Sequence, residues 1–95
     1  MSFTWIEKSR LAAPLRGTFI SLGSALLTRM AAQLGFDWVL IDLEHGASSE
    51  SDLPAMLLAV EGTQCAPIVR VVSNDQDCIK RALDLGAVGI MVPYV

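Results

Sequence analysis

The sequence lacks the basic clusters and the long apolar runs that mark two common classes of protein. Its seven basic residues are dispersed, with only Lys80 and Arg81 adjacent, and the formal net charge is -3, so no basic face is available for nucleic acid. No apolar run approaches the roughly 18 residues that a membrane-spanning helix needs. The amino-terminal segment becomes polar and acidic within its first turns, unlike a signal peptide. We therefore expect a cytoplasmic protein that contacts neither nucleic acid nor a membrane.

Cysteine and histidine are scarce, and a dinucleotide-binding motif is absent. The two cysteines, Cys65 and Cys78, lack the spacing of a metal site, so we interpret both as reduced residues of the core. No Gly-x-Gly-x-x-Gly follows the first predicted strand, which removes the main support for a dinucleotide-binding fold. The one histidine, His45, ends an apolar run that turns abruptly polar.

Apolar runs typical of buried strands alternate with segments in which apolar residues recur at helical spacing. We predict strands over residues 16–21, from residue 38, over 67–72 and over 88–95, and a short first helix over 3–14. The three helices that connect the strands are predicted to end at Gly35, Gly62 and Gly86, because glycine favours the end of a helix.

Serine and asparagine side chains mark where the connecting helices begin. The first is predicted to be capped by Ser24 and the third by Ser73 or Asn74. For the second helix Ser49 and Ser51 are both candidates. We favour Ser51, because Pro54 then lies in the first turn, where its missing N–H costs no hydrogen bond.

The resulting β-α-β-α-β-α-β order predicts a parallel sheet covered by helices. A (β/α)8 barrel of the TIM type fits this rhythm, but eight units need roughly 200 residues or more. We therefore predict that residues 1–95 form the amino-terminal half of a single barrel domain, with four strands, three connecting helices and two open sheet edges. These edges, together with a hydrophobic content of 53%, predict a homo-oligomer.

Three polar residues follow the second predicted strand, where an α/β enzyme presents its chemistry. Asp42 and Glu44 alternate along the strand end, so both carboxylates could face the same side. His45 follows directly, and an imidazole suits proton transfer near neutral pH. The alternative interpretations are acids that cap the next helix and a histidine on a surface loop.

Arg70 interrupts the third apolar strand. Its guanidinium must reach a polar environment, because a buried unpaired charge is very costly. The first interpretation is a fixed cation at the carboxyl end of the strand, aimed at an oxyanion. The alternative is a structural ion pair with Asp42 or Asp84. Asp84 falls in the last turn of a helix, where a negative charge is unfavourable to the helix dipole and mildly suggests a specific partner.

Four segments together resemble the HpcH/HpaI aldolase family of metal-dependent, class II pyruvate aldolases, and the resemblance covers nearly all of the chain. They are residues 35–45 (GFDWVLIDLEH), 67–71 (PIVRV), 80–87 (KRALDLGA) and 91–93 (MVP). One position departs from the pattern: Leu43 stands where relatives often have a small residue, and could crowd the site.

The resemblance implies a lyase that cleaves a 4-hydroxy-2-oxo acid to pyruvate and an aldehyde, or runs the reverse condensation. It implies a divalent metal ion (Mg²⁺, Mn²⁺ or Co²⁺) that chelates pyruvate. It also implies that His45 belongs to the acid/base apparatus, that Arg70 binds the keto or enolate oxygen and that Asp84 partners the histidine. Asp42 and Glu44 would lie near the metal and its bound water.

The same resemblance implies that the direct metal ligands, a Glu and an Asp, come from strands beyond Val95, so that this chain supplies none of them. Two other functions are considered. One is a CoA-thioester lyase of the malyl or citramalyl type, although no segment supplies an adenine or pantetheine site. The other is a non-catalytic barrel fragment that acts as an assembly unit.

Overall fold

The computed structural model describes residues 14–93, and in this part of the chain four strands alternate with three α-helices. Two predicted segments lie outside the described residues. They are the first helix up to residue 13 and the last two residues of the fourth strand. In chain order the elements are β1 (Gly17–Ile20), α1 (Ala25–Gln33), β2 (Trp38–Asp42), α2 (Leu53–Val60), β3 (Ala66–Arg70), α3 (Gln76–Asp84) and β4 (Gly89–Met91).

The four strands form one parallel sheet in the order β1-β2-β3-β4. Each strand therefore pairs with the strand of the next β-α unit. This sequential order is the pattern of a barrel wall, whereas a doubly wound sheet reverses its strand order at a switch point. The predicted alternation and the predicted parallel sheet are confirmed.

The helices share a single hydrophobic core with one face of the sheet. On the sheet side this core contains Ile20, Val39, Ile41 and Val69, and residues of α1, α2 and α3 belong to the same cluster. Because side chains alternate along a strand, the residues between these face the other side of the sheet. That second face carries Phe19, Leu40 and Arg70, and in a closed barrel it would be the interior.

The helix starts confirm one predicted cap and correct two. Ser24 caps α1 as predicted, and its hydroxyl oxygen accepts a hydrogen bond from Leu27 N at 3.0 Å. The cap of α3 is Asp75 rather than Ser73 or Asn74; its carboxylate accepts from Asp77 N at 2.8 Å. A carboxylate at this position also interacts favourably with the positive end of the helix dipole.

The second connecting helix begins differently from the prediction, which was wrong in placing its cap at Ser51. A 3₁₀ turn over Glu50–Asp52 precedes α2 and is itself capped by Ser49, whose backbone N–H donates to the Asp52 carboxylate at 2.9 Å. Asp52 then caps α2. Pro54 still lies in the first turn of α2, as expected, so its missing N–H breaks no internal hydrogen bond.

The structure also corrects two smaller expectations. The predicted fourth strand over 88–95 is shorter, and β4 covers only Gly89–Met91. Leu43 is 7% exposed and belongs to the hydrophobic core, so it does not crowd the polar end of the sheet. Within residues 14–93, no helix has the length and apolar character required to cross a membrane.

Candidate active site

The carboxyl ends of three neighbouring strands bring a carboxylate, a guanidinium and a thioether into one row. Asp42 on β2 is in register with Arg70 on β3, and Arg70 is in register with Met91 on β4. All three lie on the sheet face that does not contact the helices. Because parallel strands end at the same edge, the β2 loop that carries Glu44 and His45 meets this row.

The carboxylate of Asp42 is the centre of the site and is almost completely buried, with 3% of the residue exposed. Its Oδ1 accepts hydrogen bonds from the backbone N–H of Glu44 at 3.0 Å and of His45 at 2.8 Å. These bonds bend the chain after β2 into a tight turn. Its Oδ2 accepts from Arg70 Nη1 at 3.1 Å. Asp42 therefore fixes both the histidine loop and the arginine.

A glycine allows the same loop to close against the end of β1. Gly46 has a φ of 91°, a backbone conformation that other residues rarely adopt. A Cβ at this position would lie 2.6 Å from the carbonyl oxygen of Ser21. That same carbonyl accepts a hydrogen bond from Ala47 N at 2.7 Å. The close backbone approach that holds the loop therefore requires glycine.

Five other side chains surround the guanidinium of Arg70. Its Nη1 contacts Asp42 and donates to His45 Nδ1 at 2.9 Å. Its Nε donates to Met91 Sδ at 3.3 Å and lies 3.8 Å from Glu44 Oε1. The ring of Phe19 lies 5.8 Å from the central carbon of the guanidinium, within the range of a cation–π contact. Within residues 14–93 the remaining nitrogen, Nη2, has no hydrogen-bond acceptor.

The contact with Arg70 determines which nitrogen of His45 carries the proton. A guanidinium has no lone pair to offer, so Nδ1 must accept, and we assign the neutral imidazole with its proton on Nε2. A carboxylate oxygen, Glu44 Oε1, lies 3.5 Å from Nδ1. The side chain of His45 is 66% exposed. The imidazole thus stands at the rim of the site, with Nε2 available to a ligand.

The structure brings together Asp42, Glu44, His45 and Arg70, but it does not bring Asp84 to them. Asp84 is the last residue of α3 and is exposed. In a β-α unit the helix returns towards the amino edge of the sheet, whereas His45 lies at the carboxyl edge. No hydrogen bond or ion pair within residues 14–93 joins Asp84 to His45. Its predicted partnership with the histidine has no contact to support it here.

The described residues do not form a metal site. Between residues 14 and 93, no three His, Cys, Asp or Glu side chains are arranged to hold a metal ion. The carboxylate of Asp42 accepts hydrogen bonds from the backbone of Glu44 and His45 and from the side chain of Arg70. The side chains near Arg70 therefore do not by themselves supply a ligand set for a divalent ion.

Two residues of the site, Phe19 and Met91, were missed by the sequence reasoning. Both are apolar residues within strands, and such residues are usually taken as core. The signal that could have found them is register, because parallel strands that end together place Met91 beside Arg70. Phe19 shares the inner face by alternation and contacts Trp38 edge to face, with ring centroids 6.4 Å apart.

A second polar cluster lies at the start of α3. Burial raises the pKa of the Cys78 thiol above its ordinary value. The nearby carboxylates of Glu50 and Asp75 raise this pKa further, while a hydrogen bond from Ser73 opposes them. Glu50 also pairs with Arg81. A thiol kept protonated in this way is a poor nucleophile and a poor metal ligand, so we assign the cluster a structural role.

Known proteins share both the sequence and the fold of this chain. The chain is 45% identical to a 2-dehydro-3,6-dideoxy-6-sulfogluconate aldolase of Pseudomonas putida over 86 residues, which is 90% of this chain and 33% of the relative. It superposes on an HpcH/HpaI aldolase/citrate lyase family protein from Burkholderia cenocepacia J2315 with a TM-score of 0.79 and 37% identity, over 86% of this chain and 33% of the other.

A third similarity is to the citrate synthase SbnG, with a TM-score of 0.74 and 41% identity over 85% of this chain and 33% of that one. The chain thus spans about a third of the length of the relatives it matches. The solved structures that this chain resembles are of the TIM-barrel type, and the sheet of β1 to β4 corresponds to part of such a barrel. The family model for HpcH/HpaI aldolase/citrate lyase matches residues 15–95. The chain belongs to the HpcH/HpaI aldolase/citrate lyase family.

Proposed function

We propose that this chain carries the proton-transfer and oxyanion-binding part of a carbon–carbon lyase. The reaction is the cleavage of a 4-hydroxy-2-oxo acid to pyruvate and an aldehyde. One observation carries the proposal: Arg70 is fixed by a buried carboxylate and contacts the histidine, while its Nη2 has no acceptor within residues 14–93. The aldolase names of relatives support the same class of reaction.

The role proposed for Arg70 is to bind the oxygen at C2 of the substrate. In the cleavage this oxygen changes from a ketone to an enolate, so negative charge develops there. Donors that are already oriented stabilise such charge at little reorganisation cost. The ion pair with Asp42, at 3.1 Å, supplies that orientation before the substrate arrives. The exposed fraction of the Arg70 side chain is 22%, which leaves one edge of the guanidinium accessible.

The role proposed for His45 is to accept the proton of the 4-hydroxyl group. In the observed contact Nδ1 accepts from Arg70, so the proton lies on Nε2. When the exposed imidazole turns away from the fixed guanidinium, Nδ1 is released, and Glu44 Oε1 at 3.5 Å is the nearest carboxylate oxygen. A proton on Nδ1 directed at Glu44 leaves the lone pair of Nε2 facing the hydroxyl. Binding of the substrate thus creates the base.

These roles account for the electrons of the cleavage. His45 takes the hydroxyl proton, and the O–H electron pair forms the aldehyde carbonyl as the C3–C4 bond breaks. The electrons of that bond enter the enolate of pyruvate, whose oxygen Arg70 contacts. Return of a proton to C3 then gives pyruvate. The buried Asp42 holds the guanidinium in place through its contact with Nη1.

The remainder of the site is proposed to come from outside the described residues. A divalent ion (Mg²⁺, Mn²⁺ or Co²⁺) would need ligands other than those of residues 14–93, as the resemblance implies for a Glu and an Asp beyond Val95. We accordingly propose that residues 1–95 correspond to the amino-terminal half of one barrel domain. Asp84 keeps its proposed part in catalysis only if a contact outside this chain's described residues engages it.

The test measures pyruvate release from a 4-hydroxy-2-oxo acid by the full-length form of the protein, with divalent metal present. We expect Arg70→Ala to lower kcat/KM by about a hundredfold to a thousandfold, the usual effect of removing an oxyanion donor. His45→Ala should lower kcat by about a hundredfold or more. Arg81→Ala is the matched control, because Arg81 is exposed and its ion pair within residues 14–93 is with Glu50. Wild-type turnover by Arg70→Ala would refute the proposal.

A second candidate function is favoured by the similarity to a protein named as a citrate synthase. The same arginine and histidine would then serve a condensation that forms a carbon–carbon bond from a 2-oxo acid. Assays in both directions separate the two, as a synthase would show product formation without measurable cleavage. Comparing free acids with CoA esters tests the thioester lyase alternative. Absence of metal binding and turnover would favour the assembly unit.

A further inference from the structure

The thioether of Met91 makes a contact with the catalytic arginine that the proposed reaction does not yet explain. Arg70 Nε donates to Met91 Sδ at 3.3 Å. The geometry is set by the sheet, since the two residues are in register on neighbouring strands and Val71 N donates to Met91 O at 3.2 Å. Backbone pairing therefore places the sulfur beside the guanidinium.

The contact with Met91 occupies Nε, a donor to which no carboxylate is hydrogen-bonded. Asp42 holds Nη1 at 3.1 Å, whereas the nearest carboxylate oxygen to Nε is Glu44 Oε1 at 3.8 Å, too far for a good hydrogen bond. Sulfur is a weak but polarisable acceptor that brings no charge. It can orient Nε without adding to the negative charge near an anionic substrate.

Phe19 supplies the third constraint. Its ring centroid lies 5.8 Å from the guanidinium carbon of Arg70, and its own position is set by the edge contact with Trp38. The guanidinium is thus held at Nη1 by charge, over one face by an aromatic ring and at Nε by sulfur. The group that remains available is Nη2.

We propose that Met91 is a positioning residue for Arg70: its thioether fixes Nε so that Nη2 points to the C2 oxygen of the substrate. The identity of that oxygen rests on the proposed function, whereas the orientation of the guanidinium does not. Met91 touches no reacting atom in this scheme. It acts through the arginine alone.

The test observes the Nε–H proton of Arg70 directly, by NMR of the ¹⁵N-labelled 95-residue chain. Arg70→Lys identifies the signal by its disappearance. We expect Met91→Leu, which keeps the apolar bulk and removes the acceptor, to accelerate exchange of this proton with water by about two- to tenfold, as loss of one hydrogen bond implies. The chemical shift of Nε should move in the same variant.

Two further variants keep the inference falsifiable. Met30→Leu is the matched control, because Met30 is 52% exposed on α1 and makes no contact with Arg70; its Arg70 signal should be unchanged. Met91→Gln restores an acceptor at the same place and should restore slow exchange. If Met91→Leu leaves the exchange rate and shift at their wild-type values, the positioning role is refuted.

Steady-state kinetics of the full-length form supply the functional readout. We expect Met91→Leu to raise KM for the 2-oxo acid by about two- to tenfold with a smaller change in kcat, and Met91→Gln to recover KM. A changed exchange rate without any lyase activity in the wild type would support the positioning role and refute the proposed function. If the wild-type enzyme is active but Met91→Leu leaves the exchange rate unchanged, the proposed function is supported and the positioning role is refuted.

Discussion

At the scale of single residues, the site depends on the carboxylate of Asp42, which binds both the histidine loop and Arg70. Oδ1 of Asp42 shapes the turn that carries His45, and Oδ2 pairs with Arg70. The side chain is 4% exposed, so its charge is stabilised by these donors and not by water. Stability and the proposed catalysis would consequently depend on the same group.

Asp42→Asn separates these two interactions. The amide oxygen can still accept hydrogen bonds from the backbone N–H groups of the turn, whereas the negative charge that pairs with Arg70 is lost. We expect the substitution to lower the free energy of unfolding by about 1–3 kcal/mol, and Asp42→Ala to lower it by about 3–5 kcal/mol, since it leaves Arg70 unpaired. Urea unfolding followed by circular dichroism measures both. Asp84→Asn, at an exposed acid, is the control and should change little; equal losses at positions 42 and 84 would contradict the assigned role.

The tautomer of His45 can be observed without ambiguity, because the chain has a single histidine. We expect ¹⁵N spectra of the neutral imidazole to show the proton on Nε2, since Arg70 donates to Nδ1. Arg70→Gln should shift the population towards a mixture of tautomers, as the donor is weaker and shorter. A proton found on Nδ1 in the wild-type chain would show that the contact with Arg70 does not persist in solution.

At the scale of the elements, strand alternation and register made most of the site predictable. Asp42 and Arg70 end neighbouring apolar strands, so their proximity followed from a parallel sheet alone. The helix caps were harder, because serine, asparagine and aspartate are nearly equivalent caps and several stand together before α2 and α3. Asp84 was placed in the site by resemblance, and the end of α3 at the other edge of the sheet does not support it.

We expect Cys78, near the start of α3, to react slowly. The raised pKa of Cys78 means that less thiolate exists at a given pH than in an unfolded chain, so alkylation near neutral pH should be slower than for a free cysteine. The folded thiol keeps its proton to higher pH than the unfolded one. The group therefore supports stability at neutral pH and loses this effect as the pH rises above its ordinary pKa.

Iodoacetamide labelling with peptide mass spectrometry follows Cys78 separately from Cys65, which is buried. Glu50→Gln should accelerate labelling of Cys78, because a carboxylate that opposes the thiolate is removed. Asp77→Asn changes a neighbouring acid that does not contribute to the shift and serves as the control. Faster labelling than that of an unfolded control peptide would contradict the assignment.

A close contact between β1 and β2 gives a second prediction at this scale. A Cβ on Gly17 would lie 1.8 Å from Trp38 Cδ2, so the indole would have to move. We expect Gly17→Ala to lower the free energy of unfolding by about 1–3 kcal/mol through overpacking. In a Trp38→Leu background the same substitution should cost less, since a flexible side chain can yield. Denaturant titration measures the free energy of unfolding of each variant. An equal loss on Gly17→Ala in the two backgrounds would contradict the packing argument.

At the scale of the whole molecule, the fold class followed from the sequence because the period of the apolar residues changes from strand to helix three times. The sequence did not reveal that Phe19 and Met91, two apolar residues, contact Arg70 in a polar site. A methionine and a phenylalanine carry no pattern that marks them as partners of an arginine. Their role depends on which face of the sheet the helices cover, and that is settled only when all the units pack together.

The apolar surface of α1 predicts self-association. Leu26, Met30 and Leu34 recur every four residues and are 72%, 52% and 77% exposed. Contiguous apolar surface of this kind favours association. We expect the chain to sediment as more than a monomer, and Leu26→Gln with Leu34→Gln to shift it towards smaller species. Leu58→Gln, at an exposed leucine on α2, is the control. A monomeric wild-type chain would contradict the predicted homo-oligomer.

The sequential order of the sheet bears on how the protein is made. Each strand pairs with the one from the preceding β-α unit, so each new unit finds its partner already synthesised. Contacts that are local in sequence close quickly, because little chain entropy is lost in forming them. The chain can therefore acquire structure unit by unit as it leaves the ribosome. On this route the arginine would meet its carboxylate as soon as β3 docks on β2, before β4 has formed and brought Met91 to the guanidinium.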